Sequence, residues 1–182
     1  MNGARLKKTV ALVGMMGAGK TAVGGQLARM LGVAILDSDD EIARAANMSI
    51  AEIFERDGEA FFRRKESQVL ARLLAGPPVV LSTGGGAFLM PRNREMISQR
   101  GISVWLKADL DLLWERVRHR GTRPLLKTSD PRATLKSLFE ARTPIYALAD
   151  LTVETEPGYS IDATAEKVLK ALKTRPDVLE CS

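Results

Sequence analysis

One stretch constrains this chain more than any other. Gly14-Met15-Met16-Gly17-Ala18-Gly19-Lys20-Thr21 satisfies every fixed position of the phosphate-loop pattern G-x-x-x-x-G-K-[ST]. The apolar, β-branched run Thr9-Val10-Ala11-Leu12-Val13 precedes it. Val23, Leu27, Met30 and Leu31 follow at helical spacing. Strand, glycine loop and helix start are the context the pattern needs. Glycines let several backbone N–H groups converge on one anion. The helix start adds its positive dipole end and unpaired N–H groups. Lys20 can then reach the β/γ-phosphates, and the Thr21 hydroxyl can hold a magnesium ion.

A rival pattern overlaps the same residues. Gly17-Ala18-Gly19-Lys20-Thr21-Ala22 also fits the dinucleotide fingerprint G-x-G-x-x-[GA], with Asp39 at about the right distance downstream. That reading leaves Gly14 and Lys20 unexplained. It also needs two mononucleotide halves and a substrate domain, for which 182 residues are too few. The phosphate loop is the better account.

A chain of this length can bury a sizeable core, and one domain spanning 1–182 is expected, with its core at about 9–174. Its single cysteine, Cys181, excludes an internal disulfide framework and fits a cytoplasmic setting. Lys7 and Lys8 before an apolar run superficially resemble a signal peptide, but the run is short and passes into the glycine loop. No segment has the length of a membrane span. The net charge of +5 raises the question of nucleic acid, but the basic residues are dispersed and aromatics are only 5%, too few for a stacking platform. No nucleic-acid or membrane partner is expected.

Taken in order, the pattern alternates strands with helices. Strands are expected at 9–13, 33–36, 79–83, 102–106 and 151–154. Helices are expected at 20–31 (stopped by Gly32), from Ser38 and from Ser49 (each with a capping-box glutamate three residues on), at 59–74 beyond Gly58, from Pro91, from Asp109, at 131–142 and over 161–172. Residues after Arg175 are expected to fray. Such alternation predicts an α/β domain with a mainly parallel sheet and helices on both faces. Ligands then bind beyond the carboxyl ends of the strands. That rule gathers residues 14–21, 37–40 and 84–86 into one cleft.

Several residues there suit phosphoryl transfer, which needs an oriented acceptor and neutralised phosphate charge. Asp37 is a candidate metal residue and Asp39 a candidate for holding or deprotonating an acceptor hydroxyl. Simple helix capping is the competing role for both. Gly84-Gly85-Gly86 allows close backbone approach to a ligand. Arg63 and Arg142 have the guanidinium fork that suits a carboxylate, though spacing alone does not choose them over Arg64 or Arg132. The irregular basic segment at about 119–130 reads as a lid, with Arg123 able to reach the transferring phosphate on closure. His119 reads as a solvated loop residue, and Trp105 and Trp114 as core.

The ordered set of blocks resembles the shikimate kinase family. It comprises the G-M-M-G-A-G-K-T-A-V-G loop, Leu36-Asp37-Ser38-Asp39, Ser49 to Phe54, Gly58-Glu59, Phe62-Arg63-Arg64-Lys65-Glu66, Ser82 to Ala87, Arg123-Pro124-Leu125-Leu126 and Arg142-Thr143-Pro144-Ile145-Tyr146. The resemblance spans nearly the whole chain. It implies a three-layer P-loop kinase fold with a five-stranded parallel sheet, order 2-3-1-4-5, and a basic lid. It implies an enzyme that phosphorylates the 3-hydroxyl of shikimate with ATP and magnesium, a step toward chorismate and aromatic amino acids, working as a cytoplasmic monomer. By position, Gly17, Ala18, Gly19, Lys20, Thr21, Ala22 and Arg123 would bind ATP. Asp39, Arg63, Gly85 and Arg142 would bind the acceptor. Thr21 and Asp37 would serve the metal, and Lys20, Asp39 and Arg123 would carry catalysis. An arginine near Arg118 or Arg120 is expected against adenine. Two departures stand out. Ala22 replaces a hydroxyl residue common in the family, and Thr155-Glu156-Pro157 lacks a basic residue for adenine.

Overall fold

A computed structural model describes residues 3–119 and 126–182. Seven strands and seven helices are seen among the described residues. Five strands form one parallel sheet: β2 (Thr9–Val13), β3 (Ile35–Asp37), β4 (Val80–Ser82), β5 (Gly101–Lys107) and β6 (Leu151–Glu154). Their spatial order is β3-β4-β2-β5-β6. In the numbering of the five expected strands this is 2-3-1-4-5. β2 is central and every one of its residues is buried, which is why it reads as a continuous apolar run rather than an alternation.

Helices α1 (Lys20–Leu31), α2 (Ser38–Ala46), α3 (Ile50–Ala75), α4 (Pro91–Arg100), α5 (Leu110–Val117), α6 (Pro131–Tyr146) and α7 (Ile161–Leu172) surround the sheet. α1 packs on α7 and α3 on α4. Val23, Leu27 and Leu31 of α1 and Ala165, Val168 and Leu172 of α7 enter the main core. A second, smaller core of Ile42, Ile53, Phe62 and Val69 holds α2 against α3. Gly32 closes α1 in the left-handed region, as its sequence position predicts. The Ser49–Glu52 box is formed at the start of α3. Gly58, with φ 83° and ψ 171°, is non-helical, so α3 is two helical segments meeting at a kink there, as the sequence predicts. Trp105 is buried, whereas Trp114 packs at the edge of the core.

Three expectations are corrected. The tail after Arg175 does not fray. β7 (Leu179–Cys181) pairs antiparallel with β1 (Ala4–Leu6), a short ribbon that periodicity did not announce. Val178 and Leu179 are buried beside Leu6, and the Arg175 guanidinium donates two hydrogen bonds to Asp177, both at 2.9 Å. The start of α2 is capped by Asp37, not by Ser38 with Glu41. Finally, α6 runs on past Arg142 to Tyr146. Pro144 lies in its last turn, where its missing N–H forfeits a single helical bond.

Candidate active site

The carboxyl ends of β2, β3 and β4 open into a cleft of about 1060 Å³. One end is the glycine loop. Gly17 and Gly19 have φ of 83° and 92°, a conformation that disfavours side chains. Gly19 is the N-cap of α1 and supplies no side-chain cap, so the first N–H groups of that helix face outward for an anion. The Lys20 ammonium folds back to donate to the carbonyls of Gly14 (2.6 Å) and Met15 (3.3 Å). Gly17, Ala18, Gly19, Lys20, Thr21 and Ala22 all line the cleft.

Oxygen ligands converge beside the loop. The Thr21 and Ser82 hydroxyls lie 3.1 Å apart. Ser82 is in register with Asp37 across the β3–β4 pair, which brings a carboxylate to the same sheet edge. Asp37 also performs the competing role foreseen for it: its Oδ1 accepts from the N–H groups of Asp39 (2.9 Å) and Asp40 (3.1 Å). Hydroxyl and carboxylate oxygens suit a hard divalent cation that keeps water and phosphate as its other ligands. Among the described residues no cluster of three or more acidic, histidine or cysteine side chains forms a self-sufficient metal cage.

The other end is assembled from four separate elements. Asp39 comes from α2, Arg63 from α3, Gly84–Gly86 from the loop after β4, and Arg142 from α6; all line the same cleft. Burial pushes the Asp39 carboxyl's pKa up, and the neighbouring Asp37 pushes the same way; Lys20 and Arg63 oppose them. The glycine triplet is explained by its neighbours. A Cβ on Gly84 would come within 2.5 Å of the Asp39 carboxylate, and one on Gly86 would collide with the Arg63 guanidinium. The Gly84 N–H donates to the Ser38 hydroxyl at 2.9 Å, tying this loop to the start of α2.

The structure also chooses among the arginines. Arg63 faces the cleft and donates to the buried Glu66 at 2.9 Å, while Arg64 is exposed over the Phe61 ring. Arg142 faces the cleft, while Arg132 is on the surface with Asp111. At the nucleotide end the choice differs from expectation. Arg116 lines the cleft and donates to the Gly17 carbonyl at 3.0 Å; Arg118 is exposed beside Glu115 and His119. Arg120 and Arg123, with most of the expected lid, lie outside the described residues. His119 is on the surface, as expected.

Four further residues were given no individual role by the sequence. Ser82 appeared only within the expected strand at 79–83 and at the head of a family block. Glu66 sits three residues after Arg63 on a helix, a spacing that signals a pair. Tyr146 donates to the Gly85 carbonyl at 2.7 Å. Thr155 is 5% exposed, lines the cleft with Tyr159, and its hydroxyl is the one buried side-chain polar atom without a partner among the described residues.

The shikimate kinase family model matches residues 16–173. The chain belongs to the shikimate kinase family. A shikimate kinase of Cereibacter sphaeroides is 68% identical over 177 residues, 97% of this chain and 88% of that protein. One of Ruegeria pomeroyi is 66% identical over 179 residues, covering 98% and 92%. Among solved structures, the shikimate kinase from Acinetobacter baumannii in complex with shikimate superposes with a TM-score of 0.85 at 42% identity, covering 92% of this chain and 93% of that one. The β1–β7 ribbon lies outside the family match, which covers the cleft's residues from Met16 to Thr164.

Proposed function

We propose that this protein transfers the γ-phosphoryl group of ATP to the 3-hydroxyl of shikimate, giving shikimate 3-phosphate and ADP on the route to chorismate. One observation carries the assignment. Next to a phosphate loop, four elements place a partly buried carboxylate, two guanidinium groups and a glycine loop around one space. That set suits a small hydroxylated carboxylate rather than a nucleotide acceptor. The relative from Acinetobacter baumannii, solved with shikimate, supports the same acceptor.

In this reading the backbone N–H groups of 17–22 and the Lys20 ammonium hold the phosphates. Lys20 exchanges its carbonyl partners for phosphate oxygens. Arg63 and Arg142 grip the carboxylate and Gly85 supports the ring. Asp39 accepts a hydrogen bond from the 3-hydroxyl and aims its oxygen at the γ-phosphorus. The new O–P bond forms as the bond to the β,γ-bridging oxygen breaks, and the hydroxyl proton leaves toward Asp39. Its raised pKa makes Asp39 a stronger base than an ordinary aspartate. Magnesium, held by Thr21 and Asp37 together with phosphate oxygens and water, would neutralise phosphate charge. Arg116 takes the nucleobase side of the loop, and Arg123 the role of the closing lid arginine. The whole chain acts as one kinase unit, a monomer in the cytoplasm.

A coupled ADP-release assay over a panel of acceptors tests the assignment. Shikimate is expected to support turnover, with gluconate and nucleoside monophosphates far behind. Faster turnover with either of those would overturn it.

A further inference from the structure

Tyr146 is the largest side chain among the fully buried residues, and the reading so far gives its hydroxyl no task. Its ring lies between Phe88 (6.5 Å) and Trp105 (6.3 Å), both stacked. A phenylalanine would satisfy that packing. Yet the position keeps a phenol, and burying a hydroxyl costs free energy unless it is bonded. The bond it makes is specific: it donates to the carbonyl of Gly85 at 2.7 Å.

Arg142 lies beside Gly85 as well. Arg142 and Tyr146 are four residues apart on α6, so both side chains fall on one face. A Cβ on Gly85 would lie only 3.1 Å from Arg142 Nη1. Arg142 also lies near the phenol: burial pushes the Tyr146 pKa up, and the Arg142 guanidinium pulls against it. Guanidinium, phenol and glycine carbonyl therefore form one contiguous contact between α6 and the loop after β4. Because a trans peptide points its C=O and N–H in opposite directions, fixing the Gly85 carbonyl also fixes where the Gly86 N–H points.

We propose that Tyr146 is a positioning residue for the acceptor, its phenol joining the Gly85 loop and Arg142 into a single pre-organised carboxylate seat. This rests on the reading of Gly85 and Arg142 as acceptor-binding residues. Without the phenol, each must be ordered by the acceptor itself, and that ordering is subtracted from its affinity. Tyr146 touches no phosphate-loop residue in this scheme, so the nucleotide side is insulated from it.

The test is Tyr146→Phe, which removes one oxygen and keeps the stacked ring. The KM for shikimate is expected to rise about tenfold, the worth of one hydrogen bond near a charged group, with the KM for ATP changed by less than about twofold. Phe88→Leu serves as the packing control: it lowers the melting temperature and leaves the shikimate KM unchanged. A Tyr146→Phe enzyme that melts earlier but keeps its shikimate KM would show the phenol to be structural only and overturn the proposal. The double variant Arg142→Lys with Tyr146→Phe gives a second readout. Its shikimate KM is expected within about twofold of Arg142→Lys alone, because both lose the same seat. Fully multiplicative effects would also overturn the proposal. If Arg142→Lys by itself leaves shikimate binding intact, the acceptor assignment fails, and that outcome is distinct from a failure of Tyr146 alone.

Discussion

The two ends of the cleft are built in opposite ways. The phosphate end is built mainly from one continuous stretch, the glycine loop and the first turn of α1, and relies on backbone N–H groups at the start of that helix. The acceptor end is drawn from α2, α3, the loop after β4 and α6, and three of its residues are held by partners outside the cleft's inner surface. Glu66 holds Arg63, Tyr146 holds Gly85, and Ser38 holds Gly84. A backbone site comes ready-made with its helix. A side-chain site must be supported residue by residue, because each long side chain loses about 1.5–2 kcal/mol of rotamer freedom on being fixed. The comparison teaches where each end is vulnerable: the acceptor end to single side-chain changes, the phosphate end chiefly to changes in loop conformation.

The largest expected effect is at the join of the two ends. Asp39→Asn is expected to lower turnover by about 10²–10⁴-fold while nucleotide binding, measured by calorimetry, survives. Loss of nucleotide binding in the same variant would mean the ends are not separable. The wild-type kcat/KM for shikimate should fall on acidification through a limb that lies above the ordinary aspartate value, and the variant should lack this limb. Stability moves the other way. A carboxyl whose pKa is raised by folding contributes fully below its unfolded pKa, and that contribution is lost as pH rises through the folded value. At neutral pH the ligand-free Asn variant should therefore melt at a higher temperature than the wild type.

Lys20→Ala comes next, with a loss of about 10²–10³-fold in kcat, the scale of removing one pre-organised donor to a developing charge. Its shikimate affinity, read from equilibrium binding without nucleotide, should be nearly unchanged. A matching loss there would break the division between the ends. Arg63→Lys addresses the acceptor end alone. The lysine keeps a charge for the buried Glu66 but loses the fork, so the shikimate KM should rise about tenfold to hundredfold with the ATP KM held. An unchanged shikimate KM would remove Arg63 from the carboxylate seat.

The smallest effect sharpens the nucleotide side. We propose that the buried Thr155 hydroxyl, without a partner among the described residues, hydrogen-bonds the nucleobase. Thr155→Val should weaken ATP binding by about threefold to tenfold yet stabilise the ligand-free protein, since an unbonded buried hydroxyl costs about 1–3 kcal/mol. Tripolyphosphate, which has no base, should bind both forms equally. Equal ATP affinity of the two forms would assign the hydroxyl no role.

The particular residues explain what could be read from the chain and what could not. The glycine loop and the alternation of strands with helices follow from local pattern, because each rests on neighbours a few residues apart; the strand order, a long-range property, was implied only by the resemblance to a family. The resemblance to a family then supplied Arg63 and Arg142, which spacing alone could not separate from Arg64 and Arg132. Arg116, which lines the cleft while Arg118 is exposed, was not singled out because nothing in the spacing of 116 and 118 marks which one turns inward at the end of α5. Ser82, Thr155 and Tyr146 lie in stretches the sequence picked out, but what each side chain does depends on what the fold sets beside it. The β1–β7 ribbon joins segments about 175 residues apart, too far for any periodicity to signal.

By itself, then, the sequence determined that this chain binds a phosphate chain at a helix start within a parallel α/β sheet. It also placed the carboxylate at position 39 close to that site. Only the tertiary structure decided how Arg63 is held in the cleft, which buried hydroxyl among the described residues is left without a partner, and why three glycines follow β4. The reason is physical. Backbone conformation and helix dipoles are set by short-range sterics, whereas the Arg63–Glu66, Tyr146–Gly85 and Thr21–Ser82 contacts exist only once the sheet has brought its loops to one edge.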